Sequence, residues 1–255
     1  MDNEMVTQER LVSGIPFLVC FKQDTTSPKP LIILSHGFSR SKDDMKDKLK
    51  VLVSMGYYAV AIDNRGHGER ADHDFMSQVF QDDKLDVHLV RRLIKETADD
   101  IHTLIDHFAT NKQVDAQRIG MLGVSMGGFV TFRALVIEKR IKVAAPIIAS
   151  PYWDDLPAGV PVLDTPEAKQ ALTAYARQYS PAHHPQAFFP RPVLMQIGGQ
   201  DDHYDGERVK QFYRELKHHY READEHVQLI VHDDIGHEFT ELMWENAINW
   251  FGATL

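Results

Sequence analysis

The chain has 255 residues, 43% hydrophobic and 25% charged, the proportions of a globular protein with room for a sizeable core. A formal net charge of −9 disfavours nucleic acid as a partner, and no apolar run reaches the roughly 18 residues a membrane-spanning helix needs. The single cysteine, Cys20, excludes an intramolecular disulfide; with Met1-Asp2-Asn3-Glu4 lacking a signal peptide's basic start, a cytoplasmic location is expected.

In chain order, residues 5–12 and 15–21 read as two strands joined at Ser13-Gly14, a hairpin signal. A turn-rich connection over 22–30 leads to Leu31-Ile32-Ile33-Leu34, a continuous apolar run of the kind seen in strands covered on both faces. That run ends in Ser35-His36-Gly37-Phe38. The spacing of Met45, Leu49, Leu52 and Val53 predicts a helix over 42–54, closed by Gly56. A buried strand follows over 57–62, then the loop Asp63-Asn64-Arg65-Gly66-His67-Gly68. Residues 71–87 are polar and irregular, with a short helix expected around 75–80. A long amphipathic helix spans 87–109, and 115–118 lead into a strand over 119–124.

After a helix over 126–138, the apolar run 143–149 reads as the next strand. Residues 150–190 break the alternation: they hold seven of the 12 prolines and a predicted helix over 166–179. A strand over 192–197 ends in Gly198-Gly199-Gln200-Asp201-Asp202. A helix over 207–220, a last strand over 226–231 and a final helix over 238–251 complete the chain. Strands alternating with helices imply an α/β fold with a mostly parallel sheet, an antiparallel N-terminal hairpin and helices on both faces. No linker or repeat divides the chain, so one domain over 1–255 is expected. Ligands of such sheets bind beyond the carboxyl ends of the strands. His36-Gly37-Phe38, Ser125, Asp201 and His237 all follow strand ends.

The stretch Gly123-Val124-Ser125-Met126-Gly127 sits between a strand and a helix. A serine at the tip of so sharp a turn is strained, and its neighbours two before and two after can have no bulk. The tip projects Oγ from the sheet, and the Met126 N–H points where an oxyanion would form, beside the positive end of the helix. With 14 histidines in the chain, any one is more often a solvated surface group. His237 is set apart by Gly236 before it and by its place between the last strand and the last helix. His232 and His237 with Asp233 and Asp234 match no zinc spacing, so no metal is expected.

Ser125, Asp201 and His237 fall in the order nucleophile, acid, base. With the matching Ser35-His36-Gly37-Phe38, Asp63-to-Gly68, Gly123-to-Gly128, Gly198-to-Asp201 and Gly236-His237 segments, the chain resembles the α/β-hydrolase superfamily over nearly its full length. It looks most like small bacterial esterases near the dienelactone hydrolase and prolyl oligopeptidase relatives. The resemblance implies hydrolysis of a small-molecule ester without a cofactor: Ser125 as nucleophile, His237 as base, and Asp201 as the acid orienting it. It also implies Phe38 and Met126 as oxyanion-hole amides. Asp202, Asp154 and Asp155 are rivals for the acid. An insertion after the sixth strand of this fold often forms a cap. Residues 150–190 are therefore expected to cover the serine, with Tyr152, Trp153, Leu156 and Val160 lining a pocket. His36 is expected to shape the oxyanion loop, and His67 to brace the 63–68 loop. A serine carboxylesterase for small to medium acyl groups is the leading expectation. The alternatives are a peptidase or acylaminoacyl hydrolase, whose relatives usually carry a large further domain, and a ligand-binding protein that kept the fold.

Overall fold

The computed structural model describes residues 4–23 and 27–255, so residues 24–26 of the expected 22–30 connection lie outside it. The strands and helices are β1 (Met5–Val12), β2 (Ile15–Lys22), β3 (Lys29–Ser35), α1 (Lys46–Ser54), β4 (Tyr58–Ile62), α2 (Phe75–Val79), β5 (Phe80–Gln81), β6 (Lys84–Leu85), α3 (Val87–Ala109), β7 (Val114–Val124), α4 (Met126–Ile137), β8 (Ile141–Ile147), α5 (Pro166–Tyr179), β9 (Val193–Gly198), α6 (Gly206–His219), β10 (Val227–His232) and α7 (Glu241–Thr254). Eight strands form one sheet in the order β1-β2-β4-β3-β7-β8-β9-β10. Strand β2 pairs antiparallel with both β1 and β4, and every other pairing in that sheet is parallel.

The apolar runs work because successive side chains of a strand face opposite ways. Leu31 and Ile33 of β3 enter a core with α3, α4 and α6, while Ile32 and Leu34 enter a second core with α1 and α7. Helices α3, α5, α6 and α7 each begin at a capping side chain. These are Asp86, Thr165, Asp205 and Thr240, which accept backbone N–H bonds from the first turn. That cap explains why α7 starts at Glu241 and not at 238. The predicted helix over 42–54 is divided: Ser41 and Asp44 form a capping box on a 3₁₀ turn over Lys42–Met45, and α1 follows. Strand β7 starts earlier than expected. Its first residues pair with β3 at Lys29 and Pro30, then the register jumps so that Leu31 meets Ile119.

The chain reverses direction across the sheet between β3 and β7, which are neighbours. Their carboxyl ends therefore open a crevice, the usual place for a ligand in such sheets. No helix among the described residues is long and apolar enough to cross a membrane.

Candidate active site

Strand β7 delivers Val124, and the chain turns at Ser125 with φ 53 and ψ −116 before α4 begins. A non-glycine residue held there stores about 1–3 kcal/mol, which the surroundings must impose. They do so through hydrogen bonds: the Ser125 N–H donates to the Ile147 carbonyl (2.9 Å), and the Phe129 N–H donates to the Ser125 carbonyl (3.1 Å). The flanking glycines are set by contact. A Cβ on Gly123 would lie 1.9 Å from the Gly127 carbonyl oxygen, and one on Gly127 would lie 2.0 Å from the Ser35 carbonyl oxygen. The elbow is thus wedged between two backbones that leave no room for a methyl group. Gly37 brings the β3 loop to the same place, where a Cβ on it would be 3.6 Å from the Ser125 Cβ.

Ser125 Oγ lies 2.7 Å from His237 Nε2, and His237 Nδ1 lies 2.8 Å from Asp201 Oδ2. An Nδ1–H donating to the carboxylate leaves Nε2 as the acceptor for the serine proton. The Asp201 carboxylate is fully buried and also accepts the His203 N–H at 3.0 Å. Burial pushes its pKa up, but the hydrogen bonds from His237 and then the His203 amide outweigh that, so it sits below the usual carboxylate range. The rival acids are engaged elsewhere. Asp155 accepts from Ser150 Oγ (3.0 Å) and Arg208, and Asp154 lies 3.0 Å from Arg208 Nη2. Asp202 faces solvent beside His203.

His203 stacks on His237, with ring centroids 3.9 Å apart and planes 20° from parallel. Asp201, His203 and His237 form the group among the described residues whose ligand atoms come close enough to hold a metal ion. A metal bound to imidazole lies in the ring plane about 2.1 Å from nitrogen. Two nearly parallel planes 3.9 Å apart share no such point, so the stacked pair cannot ligate one ion without a ring swinging away.

Behind the Gly37-Phe38 loop, His36 is fully buried. Its Nδ1 contacts the Gly37 carbonyl (2.7 Å) and its Nε2 accepts the Asn64 N–H (3.0 Å), while Asn64 Nδ2 returns a bond to the His36 carbonyl (2.8 Å). The ring is a neutral cross-brace between two loops. His67 packs against Phe38 and Phe75, bracing the same place from the other side. Burial lowers the His36 pKa to about 4, against about 6.5 for an exposed histidine. Between these values the unfolded chain binds the extra proton and the fold does not. Stability is therefore complete above about pH 6.5 and falls as pH drops toward 4, by about 1.4 kcal/mol per pH unit. His36 alone should make the protein about 2 kcal/mol less stable to urea at pH 5 than at pH 7.5, and His67, whose pKa burial also lowers, adds to the loss. Equal stability at both would contradict the buried neutral ring.

A cavity of about 700 Å³ opens over Ser125. Phe38 and Met126 flank the serine in its wall, Val87, Val90, Arg91 and Ile94 of α3 form one side, and Pro157 and Val160 form another. The second side is tied to the small β5–β6 hairpin, where the Leu85 N–H donates to the Pro161 carbonyl at 2.8 Å and the Leu163 N–H donates to the Leu85 carbonyl at 3.0 Å. Of the four expected pocket residues, Val160 alone lines the cavity. Trp153 is fully buried and stacks with Tyr175 of α5 at 6.2 Å and 13°. Tyr152 packs on Phe212 and under Arg208, and Leu156 points to solvent. The reason is a pinned turn: Ser180 Oγ accepts the Trp153 N–H (3.2 Å) and donates to the Pro151 carbonyl (2.8 Å), which turns Trp153 inward. Trp153→Ala should accordingly cost about 3–5 kcal/mol of stability and leave acyl-length preference alone. Thermal melting beside an ester chain-length series checks both halves.

Two residues of the site escape sequence reasoning. Arg91 had a signal, because it interrupts the helical spacing of Val87, Val90 and Ile94 on a face that is otherwise apolar. His203 had none, since nothing in Asp201-Asp202-His203 foretells the stacking.

The profile of the family described as "Serine aminopeptidase, S33" matches residues 26–191. YitV of Bacillus subtilis, named as a candidate esterase, is 29% identical over 259 residues, covering 97% of this chain and 98% of its own. TT1662 from Thermus thermophilus superposes with a TM-score of 0.76 at 22% identity, covering 98% of both chains. The acylaminoacyl peptidase of Pyrococcus horikoshii superposes with a TM-score of 0.70 at 18% identity, covering 99% of this chain and 42% of its own. The fold is that of the α/β-hydrolases.

Proposed function

The chain belongs to the serine aminopeptidase S33 family of α/β-hydrolases, and from that footing we propose that it is a serine carboxylesterase acting on small to medium acyl esters through an acyl-enzyme. The observation that carries the reading is the unbroken hydrogen-bonded line from Ser125 Oγ through His237 to the buried Asp201 carboxylate. In this reading His237 Nε2 takes the Ser125 proton as Oγ attacks the ester carbonyl. Asp201 holds the tautomer and stabilises the imidazolium. The Met126 N–H, first in α4 and so without a partner inside the helix, and the Phe38 N–H receive the oxyanion. His237 then protonates the leaving alcohol and later activates water for deacylation. All of these groups come from the chain itself. Residues 157–163 with the β5–β6 hairpin serve as the cap.

A fluorophosphonate probe should label Ser125 stoichiometrically; failure to label would favour a ligand-binding role. The family's name and the acylaminoacyl peptidase neighbour favour a second reading, amide hydrolysis by the same serine. p-Nitrophenyl esters measured beside peptide anilides separate the two. Turnover of anilides at rates matching the esters would move the assignment to a peptidase.

A further inference from the structure

Helix α3 turns Val87, Val90, Arg91 and Ile94 toward the cavity that holds Ser125. Three are aliphatic, as a core-facing stripe requires, and the fourth is an arginine only 5% exposed. Burying a guanidinium is costly unless its charge and its N–H groups are met. Here they are met in part. Nε donates to the Trp153 carbonyl (3.3 Å) and Nη2 to the Asp155 carbonyl (3.4 Å), both long, and the ring of Phe129 lies 4.1 Å beneath the guanidinium. Nη1 donates to no acceptor among the described residues, and it is not among the buried atoms sealed from solvent. No carboxylate forms an ion pair with Arg91 among the described residues, because Asp154 and Asp155 both turn to Arg208.

Arg191 shows the contrast. Also buried, it too has no carboxylate ion pair among the described residues, but its three nitrogens reach the carbonyls of Leu135, Glu138, Ile141, Ala187 and Phe188. That is a saturated structural arginine, and it lines no part of this cavity. Arg133 is likewise away from the cavity. Arg91 instead keeps an unspent donor edge and a full positive charge on the cavity wall. Although burial lowers its pKa to about 10, it stays charged at neutral pH. Phe129, on which it rests, is one helical turn beyond Ser125. The cation is thus near the reacting carbonyl but not at it.

We propose that Arg91 is a specificity-determining residue that receives a carboxylate carried by the substrate several bonds from the scissile ester, so that the preferred substrates are anionic esters. The inference rests on the ester reading above and deepens it. On the α3 wall, aliphatic side chains on either side of a single cation suit an aliphatic chain ending in a carboxylate; the cavity's other cations, Arg40 and Lys48, each already face a carboxylate, Asp44 and Glu241, at 3.7 Å. A charge-assisted pair in such a site is the strong kind of hydrogen bond.

The test compares kcat/KM for matched pairs. 4-Nitrophenyl butyrate against the mono-4-nitrophenyl esters of glutarate and adipate places the charge on the acyl side. Phenyl butyrate against 4-carboxyphenyl butyrate places it on the alcohol side. The carboxylated member of one pair should win by about 10- to 100-fold in the wild type. In Arg91→Met that ratio should collapse toward one, and in Arg91→Lys it should be partly kept. Arg91 also anchors the 153–155 turn, so a variant that misfolds is replaced by a wild-type measurement: adipate should inhibit competitively and adipamide should not. Good turnover of the neutral esters with no preference in either pair and no inhibition by adipate overturns the inference and leaves the ester reading standing. Absence of turnover on all the esters removes the ester reading and this inference with it.

Discussion

Ser125→Ala is expected to fold as the wild type does and to lose about 10⁴- to 10⁶-fold in ester turnover, with the remainder supplied by binding and the oxyanion amides. Folding should survive because the elbow is held by its surroundings. The Ser125 N–H to the Ile147 carbonyl and the Phe129 N–H to the Ser125 carbonyl involve no side chain. Alanine keeps the Cβ and hence the same backbone strain at φ 53. What disappears is the Oγ that lies 2.7 Å from His237 Nε2. Steady-state kinetics with a 4-nitrophenyl ester, beside the melting temperature, give the answer. A well-folded variant with more than about a tenth of wild-type turnover would sink the assignment of the nucleophile.

The second large effect concerns two adjacent acids. Asp201→Asn should lose turnover on the scale of the Asp-to-Asn change in a serine protease triad, about 10⁴-fold. An amide NH₂ facing Nδ1 favours the tautomer that puts a proton on Nε2, where the serine proton must go. The carboxylate also accepts the His203 N–H, so the loop loses charge-assisted support at the same time. Asp202→Asn should change turnover by less than about threefold, because its side chain is 58% exposed and lies beside His203. The reverse pattern would move the acid by one residue. Loss in neither would send the search to Asp154 and Asp155, which the structure shows clamped to Arg208.

Much of this arrangement was legible because local rules and the fold agree. Apolar runs such as Leu31-Ile32-Ile33-Leu34 announce strands covered twice, and they feed two cores from alternate positions. The glycines at 123 and 127 announce crowding, and the backbones they meet are those of Gly127 and Ser35. The elements in chain order, and the placing of Ser125, Asp201 and His237 beyond the carboxyl ends of the strands, follow from such signals. What stayed hidden depends on contacts between segments far apart in sequence. Trp153 reads as a pocket aromatic because it lies in residues 150–190, the insertion that the family resemblance implies as a cap over the serine. Its direction is set by Ser180, at the far end of α5, which no local pattern around 153 reveals. At the 3₁₀ turn that divides 42–54, Lys42 also reaches Asp63, with its N–H donating at 2.8 Å and its Nζ at 3.2 Å. The pairing spans two loops.

Helix α3 runs 23 residues, about 34 Å. Its first turns wall the cavity, and from Ala98 to Phe108 it is embedded among β2, β4 and β7 side chains. A larger residue at Val90 or Ile94 therefore pushes on a strut whose other end is fixed in the centre of the molecule. The opposite wall, around Pro157 and Val160, is held by a few backbone bonds, two to the two-strand ribbon and one from the Ala158 N–H to the Asp202 carbonyl at 2.8 Å. The enzyme thus has one rigid jaw and one compliant jaw. Selection for a bulkier substrate would find its room on the compliant side, at residues 157–163, and leave α3 as it is.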